Sequence, residues 1–229
     1  MDCTITAHNS IIIDRMIQVI KTPTISIDTM HAVCIQVVST DKTAILEFTL
    51  ANCMFEDLAL KNKHVSIPRQ RFYMKKMKHL RITTNEYVMV FEYVFEGYVF
   101  RRSVFHACAQ PFEIGSEPRM YATDLDPGMM KTMCKEIQNE KVEVRISNGM
   151  GEVSGNKSRV RFRLDCADEW KAKGIGRNLR NIFEISDLFC AMKMEYGPQS
   201  SSMKIVLVGD EIKASFFTAV CISSKADEF

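Results

Sequence analysis

Carboxylates and cationic side chains are the groups in this sequence whose spacing invites chemistry. Asp165, Asp168 and Glu169 gather beside Trp170 at the close of RVRFRLDCADEW, and clustered acids of this kind hold the metal ions of two-metal phosphodiester cleavage. The same residues sit at a strand end, where a solvated loop explains them better; a metal-dependent nuclease stands as an alternative. The five histidines, at 8, 31, 64, 79 and 106, are dispersed with no His-Glu-x-x-His spacing, so no metal centre is expected. The eight cysteines form no Cys-x-x-Cys pair, which argues against zinc ribbons and thioredoxin-like chemistry and for reduced, intracellular thiols. Gly149-Met150-Gly151 and Gly174-Ile175-Gly176 complete no nucleotide-binding glycine pattern and read as turns. No cofactor is implied.

Positive charge is the remaining signal. The net charge is only +2 over 229 residues, so any basic surface must come from local clustering. Residues 67–79 hold five basic side chains, Arg69, Arg71, Lys75, Lys76 and Lys78, and no acidic one. IPRQRFYMKKM at 67–77 is echoed by IGRNLRNIFEI at 175–185, which carries Arg177 and Arg180, with Lys171 and Lys173 just before it. Arg15 and Lys21, then Lys131 and Lys135, add smaller groups. Flexible cationic side chains on one face suit phosphates without reading base edges. A solvated helix face would have the same appearance.

Four helices are predicted to present this charge. The first covers 8–20, with cap candidates His8, Asn9 and Ser10 and apolar residues at 12, 13, 16, 17 and 20. The second covers about 68–78, with Pro68 at its first position. The third opens at Asp126-Pro127, and the fourth has an apolar stripe at 179, 182, 183 and 185 opposite Arg177, Arg180, Asn181 and Glu184. Runs rich in β-branched and aromatic residues, such as AILEFTL, HLRITT, YVMVFEYVFE and MKIVLVG, read as strands between them. AQPFEIGSEP at 109–118 has two prolines, one glycine and no periodicity; it reads as a connector between domains 1–108 and 119–229. Helix and strand order is the same in both halves, so the chain reads as an internal repeat of α+β class with antiparallel sheets.

RVRFRLD alternates Val160, Phe162 and Leu164 with three arginines, the pattern of an edge strand. GYVFRRSVF, with Val99, Phe100, Val104 and Phe105, is a second edge candidate. The N-terminus has no basic stretch followed by an apolar one, and no apolar run reaches membrane-spanning length. A soluble protein with no membrane partner is expected.

The order of elements resembles that of the DNA sliding clamp family along essentially the whole chain. ILEFTLANCMFEDL (45–58) is similar to a core strand and its following segment in proliferating cell nuclear antigen (PCNA) and the checkpoint clamp subunits. IGRNLRNIFEISDLFCAMKMEYGPQSSSMKIVLVG, with Tyr196-Gly197-Pro198, resembles the last helix and strands of the checkpoint subunit Rad nine, as YVFRRSVFHACAQPFEI resembles its connector entry. The sequence ends at Phe229 without that subunit's long tail or PCNA's Leu-Ala-Pro ending.

The resemblance implies a two-domain PCNA-like fold, with sheets outside and helices lining an inner basic face. It implies a non-enzymatic nuclear protein that encircles duplex DNA through Arg15, Lys21, Arg69, Arg71, Lys75, Lys76, Lys131, Lys135, Arg177 and Arg180. It implies two other clamp subunits in a heterotrimeric ring, joined through the two edge strands, and a clamp loader. Repair and checkpoint proteins would dock at Val38, Pro111, Phe112, Ile114 and Val220; Phe112 serves equally as a pin for the connector. A homotrimeric replication clamp is the alternative within the family.

Overall fold

Thr6 ends the first strand and starts the first helix in the computed structural model, which describes residues 1–61, 63–108, 112, 121–137, 141–155, 158–164, 169–197 and 201–222, without the side chains of the last two. Its Oγ1 accepts from the Asn9 amide at 3.2 Å, the side-chain cap that an amide-rich first turn needs. Thr6, rather than residues 8–10, is therefore the cap. Asn9 and Ser10 lie inside the helix and are buried, and Asn9 Nδ2 donates to the Met54 carbonyl at 2.9 Å. Ile13, Met16 and Ile17 complete the buried stripe.

In chain order the elements begin β1 (Asp2–Thr6), α1 (Ala7–Gln18), β2 (Thr24–Asp28), β3 (Val33–Val38), β4 (Ala44–Leu50), β5 (Phe55–Ala59) and β6 (His64–Pro68). There follow β7 (His79–Thr84), β8 (Val88–Val94), β9 (Val99–Phe105) and β10 (Ala107–Cys108). The order then restarts with β11 (Tyr121–Leu125), α2 (Pro127–Met133), β12 (Lys141–Ser147), β13 (Met150–Ser154), β14 (Arg159–Arg163) and β15 (Trp170–Ile175). It closes with α3 (Gly176–Glu184), β16 (Ala191–Tyr196), β17 (Ser202–Val208) and β18 (Ile212–Ile222). The paired strands are antiparallel, as the α+β reading requires.

Two compact units divide the chain. One holds Met1–Thr40, Leu46–Glu113 and Glu211–Lys213; the other holds Asp41–Ile45, Ile114–Asp210 and Ala214–Phe229. In the first unit one sheet runs β5-β1-β7-β8-β9, and β10, β6, β2, β3 and β4 are neighbours in that order in another. α1 packs on β1 and β7. The row Ile5, Leu80 and Tyr93, none more than 2% exposed, forms the core beneath it.

In the second unit β18-β15-β12-β13-β14 run side by side, and β11-β16-β17 continue from the other edge of β18. Asp126 caps α2, its carboxylate accepting from the Met129 amide at 2.5 Å with Pro127 next in line, as the sequence predicts. α2 rests on α3, and α3 rests on β12. Its stripe of Leu179, Ile182 and Phe183 is buried. Asn148-Gly149, at φ 51° and 72°, makes the two-residue turn between β12 and β13. Gly151 lies beneath the Phe162 ring, so a Cβ there would come within 2.3 Å of it. Gly174 is a strand residue and Gly176 begins α3; they mark a strand-to-helix junction, not the expected turn.

The predicted helix at 68–78 is absent. Pro68 ends β6, and residues 69–78 run as an irregular segment before β7. Three further strands, β5, β6 and β15, occupy stretches where no strand was expected. Most of the 109–118 connector, with Pro111 and Ile114, lies outside the described residues, as do Asp165 and Asp168.

Candidate nucleic-acid interface

Although it is not a helix, segment 69–78 lies along one. Arg69 Nη2 donates to Gln18 Oε1 near the end of α1. The Phe72 amide donates to Asp14 Oδ1 at 2.9 Å one turn earlier, and the Ala7 amide at the start of α1 donates to the Lys78 carbonyl at 3.0 Å. The segment therefore runs antiparallel to α1, stitched at three points. Phe72, 1% exposed, inserts its ring edge-on against Phe91 at 5.7 Å, and the Tyr93 hydroxyl donates to the Arg71 carbonyl at 2.5 Å. Burial pushes the Asp14 carboxyl above the usual carboxylate range, while the Phe72 amide and the Arg71 and Arg69 charges pull it back.

The result is a strip of exposed cations. Arg71, Lys75 and Lys76 project to solvent, with Lys76 held at φ 69°. Lys75 and Lys76 make no ion pair among the described residues. Lys21 is exposed just past α1, Arg15 is half-buried on it, and Lys78 pairs with Glu96 at 3.8 Å.

The second unit divides its basic residues differently. Lys131 is held internally, donating to the Glu184 carbonyl at the end of α3 and pairing with Asp187 at 3.5 Å. A cation suits that position because the last carbonyls of a helix are partly negative. Arg177 pairs with Asp41 at 3.7 Å and stays largely exposed; Arg180 and Lys135 are exposed. Lys171 and Lys173 do not join them. They stand on the face of β15 away from buried Trp170 and Ala172, with Lys171 3.4 Å from Glu143. Strand alternation separates them from the helix layer.

With this geometry in view, the solved structures decide the fold. A PCNA2–PCNA3 complex from Sulfolobus tokodaii matches with a TM-score of 0.76 at 11% identity, covering 96% of this chain and 99% of that one. PCNA from Entamoeba histolytica matches with a TM-score of 0.70 at 8% identity, covering 96% and 98%. The fold is that of a sliding clamp. No protein-family model and no curated protein matches in sequence. A clamp fold with this little identity is maintained by its pattern of buried rows, which many sequences satisfy.

The clamp fold leaves two edge strands in the positions read from the sequence. Among the described residues β9 pairs with β8 alone, and it exposes Val99, Phe100 and Phe105 at 55%, 45% and 79%, with Val104 buried. Among the described residues β14 pairs with β13 alone; Val160, Phe162 and nearby Leu164 are buried while its three arginines are exposed. At the expected docking pocket, Gln36 clasps the backbone of Phe112, accepting from its amide at 2.8 Å and donating to its carbonyl at 3.0 Å. Phe112 as a whole is 42% exposed, so the pin is the backbone and the side chain remains available. Val38 is half-buried. Val220 lines a cleft of about 600 Å³ with Val142 and Gly174, its ladder neighbours, where Gly174 has no side chain to fill the row.

No group of three or more histidine, cysteine or acidic residues able to hold a metal occurs among the described residues. No helix among them is long and apolar enough to cross a membrane. The buried thiol of Cys3 and the half-buried thiol of Cys34 are pushed up, chiefly by desolvation, to about 12 and about 11, so they are poor nucleophiles. Sequence reasoning missed Asp14, the residue that fixes the middle of the basic strip; its signal was the one acid on α1, next to Arg15.

Proposed function

We propose that this chain is a non-enzymatic subunit of a ring-shaped DNA clamp of the checkpoint type, most like Rad nine. It encircles duplex DNA in the nucleus with two other clamp subunits, is placed there by a clamp loader, and recruits repair and checkpoint proteins. The observation that supports this most is the clamp fold along 96% of the chain, combined with a stitched strip of exposed cations on α1. Such a strip attracts phosphates wherever the duplex stands, so a ring can slide. The Sulfolobus structure contains two differently numbered PCNA chains, a precedent for unlike subunits in one assembly. Phe112 and the Val220 cleft are the proposed docking positions.

The test is the salt dependence of DNA binding by the assembled ring. Replacing Arg69, Lys75 and Lys76 with alanine should flatten the slope of log affinity against log salt by about 2 to 3, since each neutralised phosphate contributes roughly 0.9. An unchanged slope would show that the strip does not face DNA. Metal-stimulated cleavage that disappears in an Asp165→Ala, Asp168→Ala variant would instead support a nuclease.

A further inference from the structure

Building on the clamp reading, we infer that this chain closes its ring with different chains whose edge strands are acidic, and not with copies of itself. On β9, Phe100, Arg102 and Val104 lie opposite Tyr93, Phe91 and Met89, the buried row of the sheet, while Arg101 lies opposite Glu92 on the open face. On β14, Val160 and Phe162 belong to the buried face, and Arg159, Arg161 and Arg163 fill every position of the open one.

A ladder joining β9 of one copy to β14 of another continues both sheets only if buried faces stay together and open faces stay together. Arginine occupies every open position of β14. Whichever register the two strands adopt over most of their length, Arg101 therefore stands directly opposite another guanidinium, a destabilising arrangement. Local acids are already engaged: Glu92 lies 3.7 Å from Arg101, and Glu152 is shared between Arg159 at 3.3 Å and Arg161 at 2.5 Å. Arg163 and Arg102 make no ion pair among the described residues. On the buried face the cost is greater, because self-pairing presses Arg102 onto the row of Val160 and Phe162 without a carboxylate to meet it.

These edges are nevertheless built to be covered. Val99 and Phe105 are 55% and 79% exposed on the open face of β9, beside Tyr98 at 61%, an apolar density that marks interaction surfaces. A partner strand with acidic residues facing Arg101 and Arg102, and another facing the β14 arginines, satisfies both the apolar and the charged demand. Like charges on the two edges then exclude the homotypic ring.

Charge reversal tests this directly. The purified full chain should have the mass of one copy, 26.2 kDa, by light scattering over a concentration series. An Arg101→Glu, Arg102→Glu variant should self-associate at least about tenfold more tightly, an advantage that fades as salt rises. The reciprocal Arg159→Glu, Arg163→Glu variant should do the same, which keeps the test valid if one variant folds poorly; combining all four changes should restore one-copy mass. Self-association of either reversal variant supports the inference. A wild-type trimer overturns it while leaving the clamp reading intact, and reversal variants that both stay at one-copy mass also overturn it. The clamp reading fails separately if no assembly containing the chain is retained on closed circular duplex and released by linearising it.

Discussion

Segments 69–78 and 176–184 follow corresponding strands. β6 pairs with β2, the strand after α1, and β15 pairs with β12, the strand after α2. Both segments are basic and both lie against their unit's first helix, yet only the second is helical. The difference lies in the spacing of what each must bury. Leu179, Ile182 and Phe183 recur at three and four residues, one side of a helix. In the other segment the anchors are Phe72 and Met77, five apart, which a helix would place about 140° from each other. An irregular backbone brings both to the core, and stitches to α1 stand in for the helical hydrogen-bond ladder it lacks. Charge alone therefore does not specify a helix; the burial period does.

The largest expected effect comes from removing the anchors. Phe72→Ala should cost about 3–5 kcal/mol in chemical denaturation, as should Phe183→Ala, but with different local consequences. Loss of Phe72 should also abolish the amide-exchange protection of residues 69–74, since Met77, the segment's other buried anchor, lies five residues away. Loss of Phe183 should leave α3 partly protected, since Leu179 and Ile182 remain. Equal local loss in both would contradict the contrast.

A smaller effect should follow at the middle stitch. Asp14→Ala leaves the Phe72 amide without its acceptor and should cost about 1–3 kcal/mol. Asp14→Asn keeps an acceptor and removes a partly buried charge, so it should be at least as stable as wild type at neutral pH. Because the folded carboxyl is raised above its unfolded value, the wild type should gain relative stability as pH falls through the range between the two values. The Asp14→Asn variant should lose that dependence.

The smallest effect is a difference of sign. Lys76 sits at φ 69°, so Lys76→Gly should be neutral or stabilising by up to about 1 kcal/mol. Arg180→Gly, in the middle of α3, should destabilise by about 1 kcal/mol. Thermal melts of the two variants would reveal the opposite shifts.

Much of this was legible in the sequence: α+β class, three of four helices and the alternation of β14. The first and last helices and β14 rest on a period that large apolar residues report, and the third helix on its Asp-Pro start. What was missed had weaker reporters. β15 alternates Trp170, Ala172 and Gly174 against two lysines, but alanine and glycine fill a buried row without looking hydrophobic. β5 is exposed along most of its length and shows no alternation. For the candidate site, sequence identified which cations are present but not which are occupied. Lys131 looks like any exposed lysine until Glu184 and Asp187 are seen around it. Similarly, Lys171 and Lys173 join Arg177 and Arg180 along the chain but not across the sheet.

The stitching of segment 69–78 also has a consequence for the order of assembly. Its bonds to Gln18 and Asp14 span 51 and 58 residues, whereas each turn of α3 closes within four. Long closures are entropically late events, rewarded only after intervening strands have paired. During synthesis α3 can begin to form as soon as it emerges, but the first unit's cationic strip has no structure until β7 has joined β1. An immature chain would thus lack that strip, and its ability to attract polyanions would mature together with its tertiary fold.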